Sequence, residues 1–244
     1  KVAALRRRFD DAGVYGTRIS LIRVQPGELA LPQYIARLIV SEDITAPAFE
    51  SGRAFVKTMF RSLRPYGGVA CLGLSSARHA GFARTVRAAN LEGAVVDRVG
   101  MLSLLRREGA LPGSGDWTHQ YGNVANTVVS KDALVKAPLG LLWFGGSSNA
   151  TILPRHGHGP PEQVIAGRLF IEGPDGLRAM DVYTGRVLWE RRLPGFGEPY
   201  DYTGHQPGAN ALGTNYIATE DAVYAAHGER CLKLDPQTGE TMVE

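Results

Sequence analysis

Ser41, Glu42 and Asp43 follow directly on the apolar run of residues 34–40, which puts two carboxylates at the end of a candidate strand. Gln25 and Pro26 stand in the same relation to an earlier β-prone run, residues 18–24. Open α/β sheets bind ligands beyond the carboxyl ends of their strands, so both segments are candidate binding residues. The Glu42 carboxylate can orient a substrate hydroxyl or amine, and the Gln25 amide oxygen can accept a hydrogen bond. The competing reading has Glu42 and Asp43 opening a solvated loop. A third group, Arg155-His156-Gly157-His158, separates two imidazoles by one glycine, so both can point to one side of an extended chain. With His119 or His205 they have the ligand types of a zinc or copper site, but such sites need three or four converging donors. Nothing in the spacing brings these together, and the Gly-Pro-Pro that follows reads more simply as a turn, so no metal site is assigned. Asp116, Asn123 and Asn126 are oxygen ligands by type alone. No residue is identified as catalytic.

The elements that must position these residues fall into two textures. In the first, Val2, Leu5, Phe9 and Ala12 recur at helical spacing with Gly13 as a cap. The strand runs 18–24 and 34–40 follow. Pro47 can begin a helix, and Phe49, Gly52, Val56, Met59, Phe60 and Leu63 give that helix one apolar stripe. Residues 67–74 form a further strand, containing Cys71 as a buried thiol. Ser75 and Ser76 offer an N-cap for a helix to about Asn90. Runs 93–99 and 101–107, joined at Gly100, predict an antiparallel hairpin. Alternating helices and strands imply a mostly parallel sheet with crossover helices.

From Trp117 onward short β-prone runs are broken by Gly, Pro and Asn: 139–145, 163–166, 169–172, 177–181, 186–191, 215–219, 222–226 and 230–235. Such strands argue for sheets stacked as blades, and residues 117–244 suffice for about three at roughly 40–45 residues each. A repeat supports this. Asp181, Thr184 and Gly185 recur as Asp235, Thr238 and Gly239 at an offset of 54. In each set Asp and Thr can tie a tight turn to the backbone, and Gly supplies a positive φ. Trp189 then opens the following strand, where an indole can dock between sheets.

Charge divides the same way. Of the chain's 244 residues, 1–110 hold 17 Lys and Arg against 9 Asp and Glu, whereas 111–244 hold 10 against 15. All three tryptophans lie in the second part. Two domains are therefore expected, 1–111 and 112–244. The arginines of the first are dispersed, with no interleaved aromatic residues to stack bases, so a solvated helix surface is favoured over a nucleic-acid partner. No CxxC occurs, and no apolar run reaches membrane-spanning length. The chain opens within a helical pattern and stops within a repeat, which reads as a piece of a longer protein.

Two resemblances follow. The order of elements in residues 1–110, with Leu63-Arg64-Pro65-Tyr66-Gly67-Gly68, resembles the C-terminal half of class I S-adenosylmethionine-dependent methyltransferases. That family ends its Rossmann-like sheet with a helix, a strand after Leu-Arg-Pro-Gly-Gly, another helix and an antiparallel hairpin; here one tyrosine is inserted. The likeness implies that S-adenosylmethionine is the cofactor. It places Gln25 where an Asp usually accepts a hydrogen bond from the adenine amino group, with Pro26 beside it. Ser41 and Glu42 would lie near the methionine part and an unidentified methyl acceptor. The family's glycine-rich turn and ribose-gripping acid have no counterpart here.

Ala179-x-Asp181-x-x-Thr184-Gly185-x-x-x-Trp189 resembles the blade signature of quinoprotein (PQQ)-like β-propellers. This implies an incomplete propeller that serves as a binding or scaffold module for a protein partner. Pyrroloquinoline-quinone chemistry needs a metal ion with carboxylate and amide ligands and an aspartate base, for which no defensible spacing is present. The adjacent-cysteine pair of some such enzymes is also missing. Two alternatives stand beside a methyltransferase-like fusion: a non-catalytic scaffold with a degenerate α/β domain, and a quinone-dependent dehydrogenase. The first resemblance implies the cytoplasm; the second, export.

Overall fold

The computed structural model describes residues 1–24, 31–41, 52–153, 159–201 and 208–244. Helix α1 (Val2–Asp11) forms where its apolar spacing predicts and gives way to Gly13 at φ +68°, but none of its residues is buried. Strand β1 (Leu38–Ser41) pairs in parallel with β2 (Gly68–Gly73). Between them runs α2 (Arg53–Ser62), which buries Val56, Met59 and Phe60. Ser75 caps α3 (Ser76–Ala89) by accepting a hydrogen bond from the Arg78 backbone N–H, and Asn90 ends it in the left-handed region. Strands β3 (Ala94–Val99) and β4 (Leu102–Arg107) make the expected hairpin around Gly100, at φ +57°. The return strand β4 then inserts beside β2, giving the order β1-β2-β4-β3.

Two expectations need correction here. The sheet is mixed, with a single parallel pairing among the described residues, rather than mostly parallel. Residues 18–24 form no strand. They are held by a short Tyr15–Ile19 bridge and by Arg6 on the Leu21 carbonyl, with Ile22 and Val24 exposed. A β-prone run gains nothing from extension without a neighbouring backbone to pair with. Cys71 is half-buried, because burial alternates along β2 and its face is the less covered one.

The second part forms two antiparallel four-stranded sheets, each ordered by sequence. One contains β5 (Gln163–Ile165), β6 (Arg168–Gly173), β7 (Gly176–Asp181) and β8 (Val187–Arg192). The four-residue helix α4 (Ala209–Leu212) precedes the other, made of β9 (Tyr216–Ala218), β10 (Val223–His227), β11 (Arg230–Leu234) and β12 (Thr241–Val243). Two sheets replace the three expected, and neither closes into a ring or barrel among the described residues. The run 139–145 is not a strand: Gly140 and Gly145 interrupt it, and no described strand pairs with it.

Both repeat turns adopt one geometry. The Gly185 N–H donates to the Asp181 carbonyl and the Gly239 N–H to that of Asp235, each at 2.8 Å, with φ of +69° and +73°. Asp181 Oδ1 accepts from the Tyr183 N–H, and Asp235 Oδ1 from those of Gln237 and Thr238. An indole lies on each glycine: Trp143 on Gly185 and Trp189 on Gly239. The same ring atoms, Cε3, Cδ2 and Cζ3, occupy the space a Cβ would need. Each indole is tethered to the carbonyl that follows the Asp. Trp143 Nε1 donates to Val182 O at 2.9 Å, and Trp189 Nε1 to Pro236 O at 3.1 Å. Trp143 therefore does from an irregular segment what Trp189 does from a strand.

Two apolar clusters result. One joins Val56, Met59, Phe60, Leu72, Val86 and Leu105; the other joins Phe170, Leu177, Trp189, Tyr216, Leu232 and Leu234. They share no residue. Polar and aromatic groups hold the seam between them. Arg64 pairs with the buried Asp181, Tyr34 meets Tyr183 edge-on at 5.6 Å, and the Tyr66 ring covers Gly167. Arg107 lies over the rings of Tyr34 and Phe60, at 5.0 and 4.7 Å.

Candidate functional site

Alternation along β6 sends the side chains of Phe170 and Glu172 to one face. Phe170 is fully buried in the core, so Glu172 is drawn inward too and keeps 4% of its surface. Asn215, just before β9 of the other sheet, reaches it across the joint. Its Nδ2 donates to Glu172 Oε1 at 2.8 Å and to Phe196 O at 2.9 Å. Glu172 Oε2 and Asn215 Oδ1 are buried without a partner. Burial pushes the Glu172 carboxyl up to about 8, against the opposing pull of the Asn215 hydrogen bond. The group therefore holds its proton near neutrality, where it can act as an acid, a base or a counter-ion.

Among the described residues, carboxylates and apolar side chains surround Glu172. A cavity of about 810 Å³ opens on Glu172 and is also lined by Glu162, Asp201, Ile152, Leu153 and Ile171. Burial and the nearby Glu172 charge together raise the Tyr200 phenol to about 12 and push Tyr216 well up. Gln163 shows what a purely structural polar group looks like in the same joint. Its Nε2 donates to Tyr216 O at 2.9 Å and its Oε1 accepts from Ala218 N at 2.6 Å, leaving it fully engaged. Glu172 is not so satisfied, and that difference marks it as the candidate.

Of the residues picked from sequence, Gln25, Pro26 and Glu42 lie outside the described residues, as do Asp43, His156, His158 and His205. Ser41 ends β1, half-exposed and opposite Leu72 of β2, at the carboxyl edge of the parallel pair. Asp116 is half-buried, and its carboxyl is raised by burial and by Glu220 while the Ala166 N–H pulls it down. Asn123 and Asn126 do not join it. Asn123 closes its own turn, accepting from Ala125 N and donating to Thr127, and Asn126 is exposed at φ +51°. No group of three His, Cys, Asp or Glu that could hold a metal ion occurs among the described residues. The polar run from Trp117 clasps the two sheets: Trp117 bridges to Val164, and Gln120 donates to Ala209 O at 2.7 Å.

Sequence reasoning passed over Glu172 and Asn215. The available signal was the inward position that Glu172 shares with Phe170. No protein-family model matches the sequence, and no curated protein does either. No helix among the described residues is long and apolar enough to cross a membrane.

Proposed function

We propose that the chain joins a methyltransferase-like α/β domain, residues 1–111, to quinoprotein-like propeller blades, residues 112–244, with the blades serving as a binding or scaffold module. In the whole protein the α/β domain would bind S-adenosylmethionine and position its methyl group in line with an acceptor, a reaction in which orientation supplies much of the rate. The observation that carries this reading is one contact. The Arg64-Pro65-Tyr66 turn, within the motif behind the first resemblance, grips the Asp181-Thr184-Gly185 turn behind the second. Arg64 pairs with Asp181 and also donates to Tyr66 O at 2.8 Å, while the Tyr66 ring seats on Gly167. The inserted tyrosine thus has a docking role. The parallel pair with its crossover helix, the second helix and the terminal hairpin also agree with the order the resemblance implies.

Photolabelling the full-length protein with radiolabelled S-adenosylmethionine tests this. Label is expected in the peptides carrying Gln25, Ser41 and Glu42, and excess S-adenosylhomocysteine should suppress it. A folded protein that takes no label at those peptides defeats methyl transfer and leaves the scaffold reading, which Gln25 in place of the usual acid favours.

A further inference from the structure

We propose that residues 139–145 pair with strand β12 of a second copy of this chain, so that two copies join their sheets into one closed stack. The segment carries an indole but no sheet. Trp143 seats on Gly185 and donates to Val182 O, as Trp189 seats on Gly239 and donates to Pro236 O. Trp189, however, stands in β8, which is paired with β7. Around Trp143, no backbone N–H or C=O of residues 136–147 has a hydrogen-bond partner among the described residues. The side chains of Leu139, Leu141 and Phe144 are 76%, 85% and 94% exposed.

The sheet β9–β12 has the complementary deficit. It receives Trp189 at Gly239 but contains no tryptophan of its own. Strand β12 ends the sheet order, so one of its edges is unpaired by any described strand, and Thr241, Met242 and Val243 are all exposed. Laid antiparallel along that edge, residues 139–145 would find partners for their backbone groups. Through Trp143 they would then tie the sheet β9–β12 of one copy to the sheet β5–β8 of the other, which is the link Trp189 makes within a chain. Edge strands that must stay single carry charge or proline. Neither is present in 139–145 or in β12. Lys136 before the segment and Glu240 and Glu244 around β12 are opposite in sign, which favours the match.

The two deficits lie at opposite ends of one stack and answer each other, which makes a second copy the occupant. The two described sheets are too few to meet within a chain, since closed rings of sheets start at about four. A pair of copies reaches that number, and a two-fold axis makes its two contacts equivalent. Such pairing depends on the blade architecture proposed above and owes nothing to methyl transfer, so the labelling experiment can fail without touching it.

Light scattering after size exclusion, across a wide range of concentrations of the full-length protein, reads the association. A dimer is expected, with slow amide exchange in residues 139–145 that becomes fast on dilution. Leu141→Lys and Met242→Lys each place a charge at an exposed position of one of the two strands. Each should weaken dimerisation by roughly tenfold or more and leave the circular-dichroism spectrum unchanged. A monomer at every concentration, or a dimer that neither substitution weakens, overturns the proposal. So does a monomer in which residues 139–145 are already protected, because their partner strand then belongs to the same polypeptide. A larger assembly overturns closure by two copies.

Discussion

Two joints in this molecule are built on the same turn. At the first, the α/β part meets the sheet β5–β8 through the turn at Asp181. At the second, that sheet meets β9–β12 through the turn at Asp235. Locally the two turns match in the glycine N–H to Asp carbonyl hydrogen bond and in glycine φ. Their surroundings differ. The Asp181 carboxylate is buried and pairs with Arg64, whereas Asp235 stays half-exposed, makes its hydrogen bonds to its own turn's backbone and acts on Arg168 only as a nearby charge. The indole differs in the opposite sense: Trp189 at the second joint is 8% exposed, and Trp143 at the first is only half-buried. A repeated sequence therefore specifies a shape, and the neighbours decide whether charge or apolar area exploits it.

If the second joint rests on apolar burial, Trp189→Ala should be the most damaging single change. A loss of about 3–5 kcal/mol is expected from truncating a buried aromatic side chain, read as a lowered denaturation midpoint. A small loss would show that the two sheets do not depend on that indole.

The second joint should also be the more sensitive to pH. The folded state holds the Glu172 proton up to about 8, against 4.5 without burial. Its stabilisation is therefore complete below about pH 4.5 and is lost as pH rises toward 8, at up to about 1.4 kcal/mol per pH unit. Unfolding followed across this window should flatten in Glu172→Gln; an unchanged profile would assign the dependence to another group.

Asp→Asn substitutions compare the turns directly, since Asn keeps the turn-closing acceptor and removes the charge. Asp181→Asn leaves Arg64 without its counter-charge and should cost about 3 kcal/mol. Asp235→Asn should stay within about 0.5 kcal/mol. Equal effects would erase the distinction drawn between the joints. Trp143→Ala should cost least among the damaging changes, about 1–2 kcal/mol for a half-buried indole and its single hydrogen bond. It should leave the β9–β12 sheet protected in hydrogen exchange.

How much of this was legible depended on whether the deciding interaction was local. Helix α3 could be placed because Ser75 caps it and Asn90 ends it, both within a turn of the helix. The hairpin at Gly100 and the two Asp-x-x-Thr-Gly turns were legible for the same reason. Residues 18–24 and 139–145 were misjudged because their β-prone composition says nothing about whether a partner strand lies alongside. Trp143 escaped the repeat argument because it does not sit one repeat length before Trp189. Tyr66 read as a disturbance in a motif, and only the position of Gly167 explains it. For the candidate site, Ser41 could be placed at a strand end from sequence. Glu172 needed the Asn215 contact from another sheet, a pairing 43 positions apart that no local pattern encodes.

The seating of indole on glycine gives the stacked sheets a polarity, because each unit offers a ring on one side and a receiving turn on the other. Head-to-tail handshakes of this kind either close on themselves or run on as a filament. One repeat beyond Trp189 stands Val243, 59% exposed, with no ring N–H to give. Val243 itself therefore cannot repeat the tether that Trp143 and Trp189 each make to the carbonyl after the Asp.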